Sequence, residues 1–285
     1  MLNYILYRIG QFIALALPLK VAYAIAVLLA DLHLIFGFAD RRRVGDNLRA
    51  IFPERAKEEL RRIRRKMFRN FAKYLVDFFR FSEINPSYIV QNIRVENKHF
   101  LDAALSRKKG VITVTAHLGN WELGGVVVSM LGYSMWGVAL PHKHKIVDDF
   151  FNFQRERKGL KVIPLGKAVR QCLKVLEHNG ILALVGDRDF TQKGVAVNFF
   201  GRETLFPAGP AALSLKTGAP IIPGFLFRNE DDTFTLRFEE PINPPEERKK
   251  EGSLLSIIER YRVVIERYIR EFPDQWYMFR HFWVE

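Results

Sequence analysis

The sequence predicts an α/β fold, a mixed sheet flanked by helices and preceded by an apolar, helical N-terminal segment. Three observations lead there. Between Val21 and Phe38, 15 of 18 positions are apolar. From Arg41 to Arg80 the chain turns basic while keeping apolar residues at helical spacing. Beyond residue 110, apolar runs of strand length alternate with longer amphipathic stretches, the pattern of a sheet covered on both faces.

The run Val21–Phe38 is broken only by Asp31, His33 and Gly37. As a helix it would extend roughly 27 Å, just short of the hydrocarbon thickness of a bilayer. A second apolar stretch, Leu2–Leu19, carries Arg8 and Pro18. Lys20 interrupts the apolar region and little positive charge precedes it, so a cleaved signal peptide is not expected. Three arrangements fit: a transmembrane or re-entrant helix, a hairpin lying in the membrane interface, or a hairpin buried in the core. Two of the three place the protein on a membrane.

Arg41-Arg42-Arg43 follows at once. From Arg41 to Arg80, 14 Lys/Arg stand against 5 Asp/Glu, a net +9 of the chain's +13. Such charge after an apolar segment marks the cytoplasmic side and anionic headgroups, at roughly 1 kcal/mol per basic residue near the surface. Glu58–Arg80 reads as a helix with Leu60, Ile63, Met67, Phe71, Tyr74/Leu75 and Phe78 on one stripe. Arg61, Arg62, Arg64, Arg65, Lys66, Arg69 and Lys73 mostly fall off it, on a face either solvated or set against lipid headgroups or an acidic protein. No helix-turn-helix, zinc-finger or ribonucleoprotein signature points to nucleic acid.

Val111–Ala116, Ser134–Leu140, Lys161–Leu165, Ile181–Gly186, Ala196–Phe200, Ile221–Phe227 and Phe234–Phe238 read as strands. Helical stretches fall at Leu118–Met130, Lys145–Lys158, Lys167–Glu177 and Ala208–Thr217, with a last amphipathic helix at Ser253–Phe272. The proline-rich stretch Pro241–Pro245, followed by charges, precedes that helix. The expected organisation is residues 1–40 as membrane-associated helices and 41–285 as a catalytic domain, with 41–95 its basic helical part and 96–285 its α/β part.

At 285 residues and 48% apolar content, the chain can bury one large core or two small ones. A net charge of 44 − 31 = +13 favours anionic partners. The single cysteine, Cys172, rules out an internal disulfide framework and a Cys-based zinc cluster, and its place on a Val169/Cys172/Leu173/Leu176 stripe makes it a core residue.

The chemistry concentrates in Thr113-Val-Thr-Ala-His117-Leu-Gly-Asn-Trp-Glu122. His117 falls where a strand ends and a helix begins, the place where α/β proteins put ligands and catalytic groups. A neutral imidazole there can take a proton from a hydroxyl nucleophile. The Glu122 carboxylate, five positions on, is expected to fix the histidine tautomer and stabilise the imidazolium. Gly119 allows close approach of backbone or ligand. By itself this spacing fits a structural histidine as well. His142-x-His144 lacks a nearby carboxylate and fits two surface histidines better than a metal pair.

His-Leu-Gly-Asn-Trp-Glu resembles the His-x4-Glu block of the lipid A biosynthesis lauroyl/myristoyl acyltransferases, a branch of the lysophospholipid acyltransferase superfamily. Arg41-Arg42-Arg43-x3-Asn47-Leu48-x3-Phe52-Pro53, Gly186-Asp187-Arg188-Asp189, Val197-Asn198-Phe199-Phe200-Gly201, Phe206-Pro207-Ala208-Gly209-Pro210-Ala211 and Gln275-Trp276-Tyr277-Met278-Phe279-Arg280-His281-Phe282 resemble further blocks of that family, in order along the chain. The resemblance implies a glycerolipid-acyltransferase-like fold and membrane-associated O-acyl transfer. His117 would be the general base on a hydroxyl of a glycolipid acceptor, most simply a lipid A precursor, with Glu122 in support. The donor would be an acyl thioester, acyl carrier protein first, whose acidity suits a basic partner. No metal or redox cofactor is implied. The location would be the cytoplasmic side of the bacterial inner membrane.

By the same resemblance, Asn120, Arg155, Asp187, Arg188, Asp189 and Glu203 are candidate substrate-binding residues. A guanidinium at Arg155 would hold a phosphate or a developing oxyanion. The Asp-Arg-Asp block is equally similar to the phosphatidylinositol mannoside acyltransferases, which implies acyl-CoA and a mannolipid acceptor as the alternative. A lipid hydrolase or thioesterase would show a Gly-x-Ser-x-Gly elbow, and none occurs. A basic membrane adaptor with an inert His–Glu pair is the non-enzymatic alternative.

Overall fold

A computed structural model of the chain describes residues 2–165, 168–189, 193–247 and 251–283. Lys167, where one expected helix begins, and the charged residues 248–250 after the proline-rich stretch lie outside them.

Helices α1 (Leu2–Ala16) and α2 (Leu19–Phe36) are separated at Leu17–Pro18, where proline supplies no backbone donor and disfavours a helical residue before it. α3 (Phe38–Ile51) and α4 (Lys57–Phe79) follow. α2 is long and apolar enough to cross a membrane, yet only 17% of it is buried. Ile5, Leu6 and Phe12 of α1 and Leu28, Leu29 and Phe36 of α2 are exposed. That exposure overturns the buried-hairpin arrangement, since a core helix turns most of its apolar side chains inward. Both helices rest on α4, whose Leu60, Ile63, Met67, Tyr74 and Phe78 are buried, in line with the expected stripe. The Arg80 guanidinium donates to the carbonyls of Ala14 and Leu17 at the end of α1, satisfying acceptors that a helix C-terminus leaves open.

After α5 (Pro86–Asn92) and α6 (His99–Ser106), the chain builds a seven-stranded sheet. Its strands are β1 (Ile93–Glu96), β2 (Val111–Thr115), β3 (Met135–Ala139), β4 (Lys161–Pro164), β5 (Ile181–Val185), β8 (Ile221–Arg228) and β9 (Phe234–Phe238), in the order β1-β9-β8-β2-β5-β3-β4. Pairing is parallel except between β8 and β9. The fold is thus the expected mixed sheet flanked by helices, and its pairing is mostly parallel. A separate hairpin, β6 (Val195–Phe199) and β7 (Arg202–Phe206), turns at Phe200-Gly201, both at positive φ, the geometry that follows the twist of paired strands. β1 and β7 escape the sequence reading because Arg94, Glu96, Arg202 and Glu203 break up their apolar runs.

β2 shows why the sheet is filled on both sides. Ile112 and Val114 join the core shared with α9 (Ala168–Glu177), α10 (Gly209–Thr217) and α11 (Ser253–Glu271). Cys172 lies buried in that core. Thr113 and Thr115 point the other way, into a cavity beneath α7 (Trp121–Met130), as alternation along a strand requires. α8 (Lys145–Glu156) borders the same side through Arg155.

Candidate active site

β2 ends at Thr115 and α7 begins only at Trp121, later than the helical pattern suggests. Gly119 explains the delay. It sits at φ +63°, and a Cβ there would lie 2.0 Å from the Leu226 carbonyl oxygen. The loop is fastened on two sides. Asn120 N–H donates to Leu226 O at 2.7 Å and Gly119 N–H to Gln275 O at 2.9 Å, while Tyr277 N–H donates to His117 O at 2.8 Å. The C-terminal Gln-Trp-Tyr segment and strand β8 therefore hold the histidine loop between them.

Within that clamp, His117 Nδ1 lies 2.8 Å from Asp187 Oδ1, and the His117 backbone N–H donates to Asp187 Oδ2 at 3.0 Å. Trp276 Nε1 donates to the same oxygen at 2.9 Å. Asp187 follows β5, the parallel neighbour of β2, so both residues emerge at adjacent strand ends. Burial disfavours the imidazolium, but the Asp187 charge and hydrogen bond outweigh it and raise the His117 pKa above its ordinary 6.5. Burial likewise works against ionised Asp187, and the histidine together with the Trp276 and backbone donors holds its pKa low.

Glu122 does not meet His117. It receives the Arg155 guanidinium through Nε at 2.8 Å and Nη2 at 2.6 Å, a bidentate pair with both side chains about one-tenth exposed. The expectation that Glu122 fixes the His117 tautomer is thus corrected. Glu122, the second residue of α7, faces Arg155 of α8, whereas the Nδ1 edge of His117 faces the β5 end.

A cavity of about 680 Å³ opens beside these groups. Thr113, Ala183 and Gly137 form one row across β2, β5 and β3 and line it, leaving room where larger side chains would close it. Leu160, Leu236 and Phe238 are further apolar wall residues, and His117, Glu122 and Arg155 the polar ones near the histidine loop. The arrangement pairs a polarised imidazole with an apolar recess of ligand size.

A family model of bacterial lipid A biosynthesis acyltransferases matches residues 1–285. The chain belongs to this family. The acyltransferase is 28% identical over 219 residues to a phosphatidylinositol mannoside acyltransferase of Mycolicibacterium smegmatis, covering 75% of the chain and 70% of that relative. It is 31% identical over 160 residues to the enzyme of that name from Mycobacterium tuberculosis, covering 54% of the chain and 51% of the relative. A lipid A biosynthesis acyltransferase of Haemophilus influenzae is 22% identical over 205 residues, with 72% of the chain and 64% of the relative covered. The matched region thus spans about half the length of the M. tuberculosis relative. Membership supports acyl transfer from an acyl donor to a glycolipid.

In this acyltransferase the remaining sequence-selected residues part company. Arg188 and Asp189 line the cavity, and Asp189 accepts from the backbone N–H groups of Lys193 and Gly194 at 3.0 Å each. Asp187 is fully buried behind His117 and bonds to its Nδ1 and its backbone N–H. Asn120 is buried too. Its Oδ1 caps α7 at Leu123 N–H and its Nδ2 donates to Asp77 at 3.0 Å. Glu203 is exposed on β7 opposite Asn198, outside the cavity lining. The hairpin β6–β7 that carries it is separate from the seven-stranded sheet and buries Val197, Phe199 and Phe206 in the core.

Sequence reasoning assigned nothing to the cluster behind the loop. Asp77 of α4 accepts from Tyr23 OH, Asn120 Nδ2 and Arg228 Nη2, and Arg228 Nη1 donates to Tyr23 OH at 3.1 Å. Asp77 and Arg228 lie within the apolar α4 and β8 patterns, and a charge inside such a pattern was the available signal.

Proposed function

We propose that the chain is a membrane-associated O-acyltransferase in which His117 is the general base and Asp187 its carboxylate partner. The observation that carries this reading is the His117–Asp187 hydrogen bond at 2.8 Å beside a cavity of acyl-chain character. Asp187 engages Nδ1, so Nε2 is the nitrogen that takes the proton of the acceptor hydroxyl. The oxygen attacks the thioester carbonyl, the tetrahedral intermediate collapses to the new ester, and the departing thiolate takes the proton back from the imidazolium. Asp187 stabilises that imidazolium. Glu122 serves by holding Arg155 at the cavity wall, where the guanidinium adds positive potential for an anionic substrate group. Arg188 and Asp189 shape the same opening.

The acyl chain lies along the apolar recess under α7. Residues 1–40 form the membrane-associated part and 41–285 the transferase, on the cytoplasmic side of the inner membrane. The donor is an acyl carrier protein thioester, drawn by the basic surface, and the acceptor a lipid A precursor. A second reading, acyl-CoA with a phosphatidylinositol mannoside, is favoured by identities of 28% and 31% to the mycobacterial relatives against 22% to the Haemophilus one.

Purified protein offered each donor against each acceptor, with His117→Ala alongside, tests both readings by mass spectrometry. A His117-dependent gain of one acyl chain identifies donor and acceptor together. Full transfer by a folded His117→Ala protein overturns the mechanism.

A further inference from the structure

α1, α2 and α4 enclose a second cavity of about 510 Å³ that shares no lining residue with the first. Ala22, Ala26 and Ala30 face it from successive turns of α2 and leave it open. Its lining is apolar except for His33 and Asp40, which meet at 3.0 Å where α2 gives way to α3. Ile13 and Leu29 belong both to this groove and to the exposed apolar surface of the anchor helices, so its mouth opens on that surface.

Beyond His33 the character changes. Arg41 Nη1 donates to the carbonyls of Leu34 at 3.4 Å and Ile35 at 3.3 Å, and Arg64 Nη1 donates to Arg41 O at 3.3 Å. The neighbouring cations are matched with acids: Arg43 with Asp40, Arg49 with Asp46, Arg61 with Glu58, and Arg65 and Arg69 with Asp31. Among the described residues neither Arg41 nor Arg64 has a carboxylate partner, and Arg64 Nε is buried without any partner. Burial, with the charges of Arg41, Arg61 and Arg49, holds the Arg64 pKa below its ordinary value. A partly buried guanidinium beside like charges gains from an anion.

We propose that the groove and the Arg41–Arg64 pair form a site for one anionic membrane lipid, an acyl chain along α2 and the phosphate against the guanidiniums. The site is separate from the substrate cavity. It rests on the membrane-associated part of the reading above, not on the His117 chemistry. A bilayer lipid fits both halves at once, whereas free phosphate fits only the cationic end.

Native mass spectrometry of the full chain in detergent, with dipalmitoyl phosphatidylglycerol or dipalmitoyl phosphatidylcholine, tests this. Wild type is expected to retain one phosphatidylglycerol per chain and to bind phosphatidylcholine more weakly. Arg64→Gln and Ala26→Trp are each expected to weaken retention about tenfold, with Arg64→Lys restoring most of it. Thermal unfolding checks each fold, and Arg41→Gln replaces Arg64→Gln if the latter unfolds. Equal retention of both lipids, unchanged retention in the variants, or inorganic phosphate binding with no lipid retained would each overturn the proposal. Acyl transfer measured on the same preparations keeps the two readings apart, since transfer without lipid retention removes the site and leaves the catalytic reading standing.

Discussion

His117 Nδ1 and Asp187 Oδ1 stand 2.8 Å apart although 70 positions separate them in the chain. The contact exists because β2 and β5 are parallel neighbours with Thr115 level with Val185, so the two loops leave the sheet side by side. Trp276 closes the set from the C-terminal segment.

That relationship fixes a pH dependence. In the proposed mechanism His117 takes the proton only when neutral, and Asp187 raises its pKa above 6.5 against the effect of burial. The acid limb of kcat/KM is therefore expected above 6.5, activity falling as pH drops through the raised pKa. In Asp187→Asn burial prevails, the His117 pKa falls, and the limb moves to lower pH. Turnover should drop about a hundred- to ten-thousand-fold in that variant and in His117→Ala. An Asp187→Asn profile superimposing on wild type would remove Asp187 from the mechanism.

Glu122→Gln tests the second pair. Arg155 would keep a buried charge without its partner, at an expected cost of about 3–5 kcal/mol, read from urea unfolding. Glu122→Leu with Arg155→Met should recover much of that stability while transfer stays low. Recovery of transfer in the double variant would make the pair purely structural.

Gly137 lines the cavity, where an added Cβ would meet only Leu160 at 3.8 Å. Gly137→Leu should be tolerated by the fold and shift donor preference toward shorter acyl chains, each displaced methylene being worth about 0.8 kcal/mol. Competition between donors of different length, scored by product mass, measures the shift. An unaltered preference would place the acyl chain elsewhere.

Gly119→Ala should be among the most damaging single-methyl additions. The new Cβ would fall 2.0 Å from Leu226 O at a φ of +63°, so the loop must move and release the clamp on His117. Loss of about 2 kcal/mol or more is expected in thermal unfolding, with transfer lost at temperatures where the protein remains folded.

The sequence by itself determined the class of fold, the basic α4 and its inner stripe, the apolar N-terminal helices and the family, and it singled out the His117 loop as the candidate site. Each rests on local pattern or on blocks in order along the chain. Strand β1 and hairpin strand β7 were not legible, because charged residues interrupt runs too short to carry a period. The partner of His117 was decided by tertiary structure alone. Glu122 is near in sequence, but its place in the first turn of α7 points it toward Arg155 at 2.6 Å, while Asp187 arrives through strand pairing. The same holds for Tyr23, Asp77, Asn120 and Arg228, four polar residues from separate elements that become one buried cluster. Sequence spacing records which face of its own element a side chain occupies. Which foreign element stands opposite that face depends on strand order and packing, and only the folded chain specifies those.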